Sequence, residues 1–223
     1  KTKNTEGRLL IWDIGVRFSH MAMILLISIS WWTGNEGGVY LQYHFWSGYC
    51  LLVIILFRTI WGFIGSTPAR FSYFLQSPRV VFSFVRTLVR GKETRFLSHN
   101  PLGACMVIFL LATIFVQVTT GFFSDDELFN EGPFRKYVTG QIAGFLTNLH
   151  HLNFTVLLVL IAVHVVAVIL HEIIKKDRLI WAMIIGRKKW ARNIPDFFFP
   201  KVIRLVISFL FSVVIVCSMI YLL

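Results

Sequence analysis

Residues 147–171 read TNLHHLNFTVLLVLIAVHVVAVILH, and this stretch decides the fold. It contains an apolar run long enough to cross a bilayer as a helix, which needs about 20 residues. Four histidines lie in it: His150, His151, His164 and His171. An ionisable side chain at membrane depth is costly and usually marks a functional site. The stretch therefore predicts a membrane helix with a histidine-based site.

The composition of the whole chain agrees with a membrane protein. Apolar residues make up 56% of the 223 positions and form long unbroken runs rather than periodic stripes. The net charge of +11 could suggest nucleic-acid binding, but the basic residues lie between apolar runs, so membrane topology explains them better and we expect no nucleic-acid partner. Cys50, Cys105 and Cys217 each stand alone, which argues against a zinc ribbon and covalently attached c-type haem. Residue 1 is lysine, from which we expect a trimmed or processed chain.

Five apolar runs predict an all-α integral membrane protein, because only helices satisfy their own backbone hydrogen bonds in lipid. The expected spans are about 16–33, 44–64, 102–123, 150–174 and 202–223. After Ser77-Pro78, apolar and arginine residues separate onto different helical faces, which predicts an amphipathic interfacial helix. Residues 178–199 read similarly but less cleanly. We divide the chain into a core (1–190) and a C-terminal segment with the fifth span (191–223).

The lysines and arginines predict the orientation. All of them except Arg135 and Lys136 fall on one side of the predicted spans. The positive-inside rule places that side in the cytoplasm. We therefore expect a cytoplasmic N-terminus, a periplasmic C-terminus, and basic amphipathic helices on the cytoplasmic surface.

Helical geometry sorts the histidines of the fourth span. At 100° per residue, His164 lies within about 40° of His150 and His171 within about 20° of His164, whereas His151 lies about 140° from His164. His151 is therefore predicted not to share their face, and to be structural. His171 has the right face but lies at the membrane edge, where a solvated interfacial role is favoured over a ligand role.

Two histidines outside the fourth span match its ligands in depth. His20 lies just inside the first span, at the depth of His164, and His44 opens the second span, at the depth of His150. The two levels are about 21 Å apart along a helix. Paired histidines on facing helices suit two bis-histidine haems. The alternative for a lone membrane histidine is a hydrogen bond to a neighbouring helix, and zinc fits poorly because it needs its ligands at one point.

Three further residues are candidates near these pairs. Arg17, one turn before His20, could contact a propionate of the inner haem, or extend to the interface. Gly48, one turn after His44, could let a flat macrocycle approach the backbone, or serve helix packing. His99 could contact a propionate or a quinone, or have a plain role at a helix start.

Several motifs resemble the bacterial cytochrome b561 family. They are Ile11-Trp12-Asp13, Arg17-Phe18-Ser19-His20, His44-Phe45-Trp46-Ser47-Gly48-Tyr49, Phe57-Arg58-Thr59-Ile60-Trp61-Gly62-Phe63, Ser98-His99-Asn100-Pro101-Leu102-Gly103, Leu149-His150, His164 and Met183-Ile184-Ile185-Gly186-Arg187-Lys188. The resemblance covers about residues 11–190. It implies a four-helix bundle with two b-type haems in a bacterial inner membrane, and by position it implies the same ligand pairs. The fifth span departs from this pattern.

These features predict an electron-transfer subunit rather than an enzyme with its own organic chemistry, because no catalytic triad or phosphate loop is visible. We expect electrons to pass through the two haems between the quinone pool and a periplasmic partner such as a c-type cytochrome. Alternatives are the membrane anchor and electron acceptor of a larger oxidoreductase such as a hydrogenase, and a superoxide:quinone oxidoreductase. A non-redox membrane scaffold is the rival from another class.

Overall fold

The computed structural model describes residues 7–91, 96–125, 131–190 and 196–221. Within these ranges, five helices are long and apolar enough to cross a membrane, so the protein is an all-α integral membrane protein. They are α1 (Ile14–Glu36), α2 (Leu41–Ile64), α5 (Pro101–Gly121), α6 (Gly140–Lys175) and α8 (Val202–Tyr221). Short elements lie between them: β1 (Gly7–Leu10), α3 (Phe71–Phe74), α4 (Pro78–Val89), α7 (Leu179–Ile185) and β2 (Arg187–Trp190).

Side-chain caps fix where three of the long helices begin. Asp13, Asn100 and Thr139 precede α1, α5 and α6, and each accepts a hydrogen bond from a backbone N–H of the first turn. The cap of α6 lies well before the apolar run, so this helix begins at Gly140 rather than near His150 as expected. His150 therefore lies deep inside a regular helix, where its direction is fixed by the helix itself.

The long helices pack in pairs. α1 packs along α2, α5 packs along α6, and α2 also contacts α5 and α8. A buried apolar cluster fills the middle of the bundle, with Leu51, Ile55, Ile114, Val118 and Leu157 among its members. The fifth helix belongs to this packing, since Val216 is buried in the same cluster.

We call the end of the bundle at which α1 begins and α2 ends the basic end. The helix α4 begins at Pro78 as predicted, although Ser77 makes no side-chain cap hydrogen bond. The helical interpretation of residues 178–199 is wrong in part. Within the described part of this range, only α7 is helical, and β2 pairs antiparallel with β1. Residues 191–195, which the same expectation included, lie outside the described residues.

A buried carboxylate joins several elements at the basic end. Asp13 accepts hydrogen bonds from the backbone N–H of Val16 (2.9 Å), from Nε1 of Trp61 (3.0 Å) and from the hydroxyl of Ser66. These contacts connect the start of α1 to the end of α2 and the turn that follows. The guanidinium of Arg58 is also buried and attracts the Asp13 charge.

Candidate functional site

The rings of His44 and His150 face each other near the end of the bundle opposite to the basic end. Their centroids are 6.1 Å apart and their planes are inclined by 74°. α2 supplies one ring and α6 the other, although these two helices do not pack as closely as α1 on α2 or α5 on α6. The structure therefore brings the two histidines together across a space between helices.

Backbone carbonyls orient both rings. Nδ1 of His44 lies 2.8 Å from the carbonyl oxygen of Ser30, and Nδ1 of His150 lies 2.9 Å from that of Gln117. A carbonyl oxygen only accepts, so Nδ1 carries the hydrogen in each ring and Nε2 carries the lone pair. In His150, that lone pair lies 3.0 Å from the side-chain nitrogen of Gln117. Metal-binding histidines use the same arrangement, in which one nitrogen donates to a carbonyl and the other binds the metal.

Two glycines make room for these rings. A Cβ atom added to Gly34 would lie 2.9 Å from Nδ1 of His44, and one added to Gly121 would lie 2.9 Å from Cε1 of His150. Both distances are far below an ordinary carbon contact of about 3.5–4.0 Å. Any larger residue at either position would displace the neighbouring imidazole. Gly34 and Gly121 were not identified from the sequence, because each acts on a ring from a different helix.

A cavity of about 290 Å³ lies beside the His44–His150 pair. Gly34, Gly48 and Gly121 line it together with both histidines. A Cβ atom added to Gly48 would meet no described atom within 4 Å, so this glycine borders open space. The surroundings of Gly48 therefore suit the expected role of admitting a flat group close to α2.

The rings of His20 and His164 form a second pair closer to the basic end. Their centroids are 6.4 Å apart and their planes are inclined by 59°. Nδ1 of His20 is buried and has no hydrogen-bond partner within the parts of the chain that the structure describes. The described residues therefore provide no hydrogen-bond partner that would orient the His20 ring.

The ring separations of both pairs are compatible with a metal ion held by two imidazoles. A metal–imidazole bond is about 2 Å long and the ring centre lies about 1 Å behind the nitrogen, so opposed ligands place their centroids about 6 Å apart. The separations of 6.1 and 6.4 Å agree with this arrangement. Each level supplies two imidazoles on facing helices, which is the donor set of a bis-histidine haem. In the described ranges, no group of three or more His, Cys, Asp or Glu residues is placed to hold a metal ion.

The other histidines of α6 occupy different places. His151 is exposed and its ring lies 6.1 Å from that of His150. It lies about 100° around α6 from His150 but lines the same cavity, so the expectation that it points away from the site is only partly right. His171 lies near the end of α6, with Nδ1 3.2 Å from the carbonyl oxygen of Ala167.

Arg17 extends toward α7. Its guanidinium donates to the carbonyl oxygen of Ile184, while its Nε atom is buried without a partner in the described residues. Arg17 borders a groove with Phe18, Met21 and Met183. One guanidinium nitrogen of Arg17 is thus hydrogen-bonded to the backbone, and Nε has no acceptor among the described residues.

His99 lies between aromatic rings at the basic end, just before α5. Its ring centroid is 4.8 Å from that of Trp12 and 5.1 Å from that of Phe74. Burial, together with the smaller effect of the nearby groups Arg58, His164 and His20, lowers the pKa of His99 to about 3. His99 is therefore neutral at physiological pH. It does not cap α5, since Asn100 has that role.

Arg58 is the functional candidate that sequence reasoning missed at this end. It is 5% exposed, and among the described residues its guanidinium makes only long hydrogen bonds of 3.5 Å, to the carbonyl oxygen of Ala69. A buried cation in a membrane helix normally needs an anionic partner. The position of Arg58 within an apolar run was the sequence feature that could have identified it. Its proximity to His99 is visible only in the folded structure.

Comparison with known proteins identifies the family. The model of prokaryotic cytochrome b561 matches residues 11–186. The chain is 28% identical over 172 residues to a probable Ni/Fe-hydrogenase B-type cytochrome subunit of Azotobacter vinelandii, covering 69% of this chain and 70% of the relative. It is 26% identical over 164 residues to the corresponding protein of Rhizobium leguminosarum bv. viciae, covering 65% and 66%. No solved structure matches.

The matched region includes both histidine pairs and the four helices that surround them, while α8 lies beyond it. The chain therefore belongs to the prokaryotic cytochrome b561 family, as its motifs predicted. It is a multi-pass bacterial membrane protein and a b-type cytochrome that carries electrons. Membership of this family implies haem b as the cofactor.

Proposed function

We propose that the chain is a di-haem cytochrome b that moves electrons across the inner membrane between the quinone pool and a redox partner on the periplasmic side. The observation that carries the proposal is the presence of two opposed histidine pairs at two levels of one bundle. Haem supplies the one-electron chemistry when bound. The protein supplies axial ligands, ring orientation and an apolar environment.

His44 and His150 would hold one haem and His20 and His164 the other. In the first pair, donation from Nδ1 to a backbone carbonyl leaves Nε2 for the iron and keeps the ring from rotating. The buried apolar cluster, with Leu51, Ile114 and Leu157, lies between the two levels on α2, α5 and α6. This cluster would exclude water between the two centres.

The basic end supplies candidates for charged and polar contacts. Arg17 is proposed to contact a propionate of the inner haem, and His99 is proposed to contact either a propionate or a quinone. The neutral state of His99 favours donation or acceptance of a hydrogen bond over an ion pair.

Gly48 is proposed to admit the outer haem next to α2.

The orientation is proposed from the distribution of charge. Lysines and arginines concentrate at the basic end, and the positive-inside rule supports assigning that end and the N-terminus to the cytoplasm and the C-terminus to the periplasm. Reporter fusions at the two ends of the chain would test this assignment. Residues 1–190 are proposed as the haem-binding core. Residues 191–223 add α8, which packs against α2.

Single ligand substitutions test the proposal. The haem content of purified protein is measured by the pyridine haemochrome assay for His20→Ala, His44→Ala, His150→Ala and His164→Ala. We expect each variant to lose one of two haems. His151→Ala is the control for the identity of the ligand, because its ring is adjacent to that of His150 but points from another face of α6. Two haems in His150→Ala, or a wild-type protein without a b-type spectrum, would contradict the proposal.

A second candidate is favoured by the names of the relatives, which are hydrogenase cytochrome subunits. In this function the chain anchors a larger oxidoreductase, such as a hydrogenase, and accepts its electrons. Isolation of the chain from its native membrane in mild detergent distinguishes the two functions. A catalytic subunit that co-purifies supports the anchor, whereas reduction of the isolated chain by superoxide would support a superoxide:quinone oxidoreductase.

A further inference from the structure

The ring of Phe198 contacts two arginine side chains from different parts of the chain. The guanidinium carbon of Arg70 lies 5.3 Å from the ring centroid, and that of Arg204 lies 5.8 Å from it. Both distances are within the range of a cation–π contact, which extends to about 6 Å. Arg70 comes between α2 and α3, whereas Arg204 lies in the first turn of α8. One aromatic ring therefore keeps two cations near each other where α8 meets the rest of the bundle.

Hydrogen bonds to the backbone fix most of this arrangement. The N–H of Thr67 donates to the carbonyl oxygen of Phe198, and the N–H of Phe198 donates to the hydroxyl of Thr67, both at 3.0 Å. Nε of Arg70 donates to the carbonyl oxygen of Gly65 at 2.9 Å. Phe198 is nevertheless 48% exposed, and Arg204 is exposed as well. The ring and Arg70 are thus held in place, while the surface that they form with Arg204 is open to a ligand.

The two positive charges are not balanced by the described part of the chain. There, neither guanidinium lies within ion-pair distance of a carboxylate, and this includes the carboxylate of the nearby Asp196. Like charges repel, and water screens this repulsion less at the edge of a membrane than in bulk solution. Guanidinium groups bind phosphate oxygens through paired hydrogen bonds. A phosphate group beside both arginines would therefore replace repulsion by attraction.

The surface next to Arg204 fits the acyl chains of a lipid. Ile207 and Phe211 follow Arg204 by three and seven residues, so all three lie on one side of α8. Their side chains are 60% and 57% exposed. Because α8 is long and apolar enough to cross a membrane, its first turn lies at the level of the lipid headgroups. Two cations above an apolar helix face match a phospholipid better than a free phosphate ion, which would leave that face unused.

We propose that Arg70, Phe198 and Arg204 form a binding site for the phosphate group of an anionic phospholipid. Basic pockets between membrane helices bind such headgroups. Since one arginine follows α2 and the other belongs to α8, a phosphate bound to both joins the fifth helix to the rest of the bundle. The site uses none of the histidine pairs. This inference therefore goes beyond the proposed electron transfer and does not rest on it.

The experiment titrates the full chain, in a nonionic detergent, with phosphatidylglycerol, phosphatidylcholine or inorganic phosphate. Bound lipid is counted by native mass spectrometry, and the unfolding temperature is measured in parallel. We expect phosphatidylglycerol to bind and to raise the unfolding temperature, and the other two compounds to have little effect. An equal effect of phosphatidylcholine would show that acyl chains alone bind, and an equal effect of inorganic phosphate that no lipid is needed. Either result would overturn the inference.

Substitutions locate the site. Arg204→Gln carries the main comparison, because this exposed side chain makes no hydrogen bond among the described residues and its loss should not disturb folding. We expect phosphatidylglycerol to bind about fivefold more weakly, and about twenty-five-fold more weakly when Arg70→Gln is added. Phe198→Leu keeps an apolar side chain but removes the shared ring, so binding should weaken by about two- to fivefold.

Arg187→Gln is the matched control for a general attraction between anionic lipid and the basic end. It removes an exposed arginine of β2 that has no cation–π contact among the described residues, and it should leave binding nearly unchanged. If it weakens the binding of phosphatidylglycerol as much as Arg204→Gln does, the attraction is general and the inference is wrong. Wild-type affinity in Arg204→Gln would contradict the inference directly, since that variant does not depend on any change in the fold.

Discussion

The two histidine pairs have nearly the same ring separation but differ in what orients them. At the opposite end from the basic end, His44 and His150 each direct Nδ1 to a backbone carbonyl. At the other level, Nδ1 of His20 is buried with no partner among the described residues. The first pair is thus held by hydrogen bonds, whereas His20 is held by packing.

The difference concerns how each site is built. Helix carbonyls are fixed by the backbone, so the orientation of the His44 and His150 rings follows from the helices themselves. The His20–His164 pair lies near His99, which in turn lies near Arg58 and thus near the Asp13 cluster at the basic end. We therefore expect substitutions that displace a ring to affect the first pair, and substitutions that disturb the basic end to affect the second.

The largest effect is expected from the glycines that touch the first pair. Gly34→Val and Gly121→Val would each force the neighbouring imidazole to move, because a Cβ atom there lies 2.9 Å from the ring. We expect loss of the haem assigned to His44 and His150 and retention of the other, measured as haem per chain. Gly144→Val is the matched control, since a Cβ atom there meets nothing within 4 Å. Full haem content in both variants would show that these rings are not ligands.

A large effect on stability is expected at the basic end. Asp13→Ala leaves Trp61 and Ser66 without an acceptor and Arg58 without its nearby negative charge. Removal of one partner from a buried charged group costs about 3–5 kcal/mol. We expect a lower unfolding temperature in detergent and weaker retention of the haem assigned to His20 and His164. Asp196→Ala, at an exposed position, is the control and should change little. Equal loss of both haems would contradict the expectation that the basic end supports the His20–His164 pair more than the His44–His150 pair.

A smaller effect is expected at Gly48. Gly48→Ala places a methyl group in open space, so the haem-free chain should keep its stability. If a macrocycle lies against α2 there, the same methyl group would lower the content of the outer haem. Gly144→Ala is the control for the cost of alanine at a helical glycine. The role of Gly48 is limited to helix packing if both variants bind equal amounts of haem.

The smallest effect is a pH dependence from His99. Its pKa in the folded protein is lowered to about 3 from 6.5, so the unfolded chain takes up a proton first as the pH falls. The contribution of His99 to the free energy of unfolding is therefore constant above pH 6.5. It falls between pH 6.5 and pH 3 by at most about 1.4 kcal/mol per pH unit. His99→Phe keeps a ring beside Trp12 and should show a shallower loss of unfolding temperature between about pH 7 and about pH 5. An unchanged dependence of the unfolding temperature on pH would contradict the assignment of a lowered pKa to His99.

Much of the fold was predictable from local sequence. Membrane spans depend on the length and hydropathy of single runs, and the five predicted runs correspond to α1, α2, α5, α6 and α8. The start of α6 was missed because residues 140–149 are less apolar and Thr139 is the cap that matters. The pairing of β1 with β2 was missed because two four-residue strands far apart in sequence carry no local signal.

The candidate site divides in the same way. The depth of each histidine and the helical face it occupies follow from residue number, so the pairs His20–His164 and His44–His150 could be predicted before they were seen at close distance. The residues that surround the two pairs could not be predicted from the sequence. Ser30, Gly34, Gln117 and Gly121 meet the rings from neighbouring helices, and sequence alone does not determine how each helix is rotated about its axis.

The sequence by itself determined five membrane helices, a basic end and two levels of paired histidines, because hydropathy, charge and helical period are properties of single segments. The tertiary structure decided which carbonyls orient the rings, which glycines make room for them, and that Gln117 contacts both nitrogens of His150. These features depend on distances of about 3 Å between different helices. Such distances are set by packing, which no single segment contains.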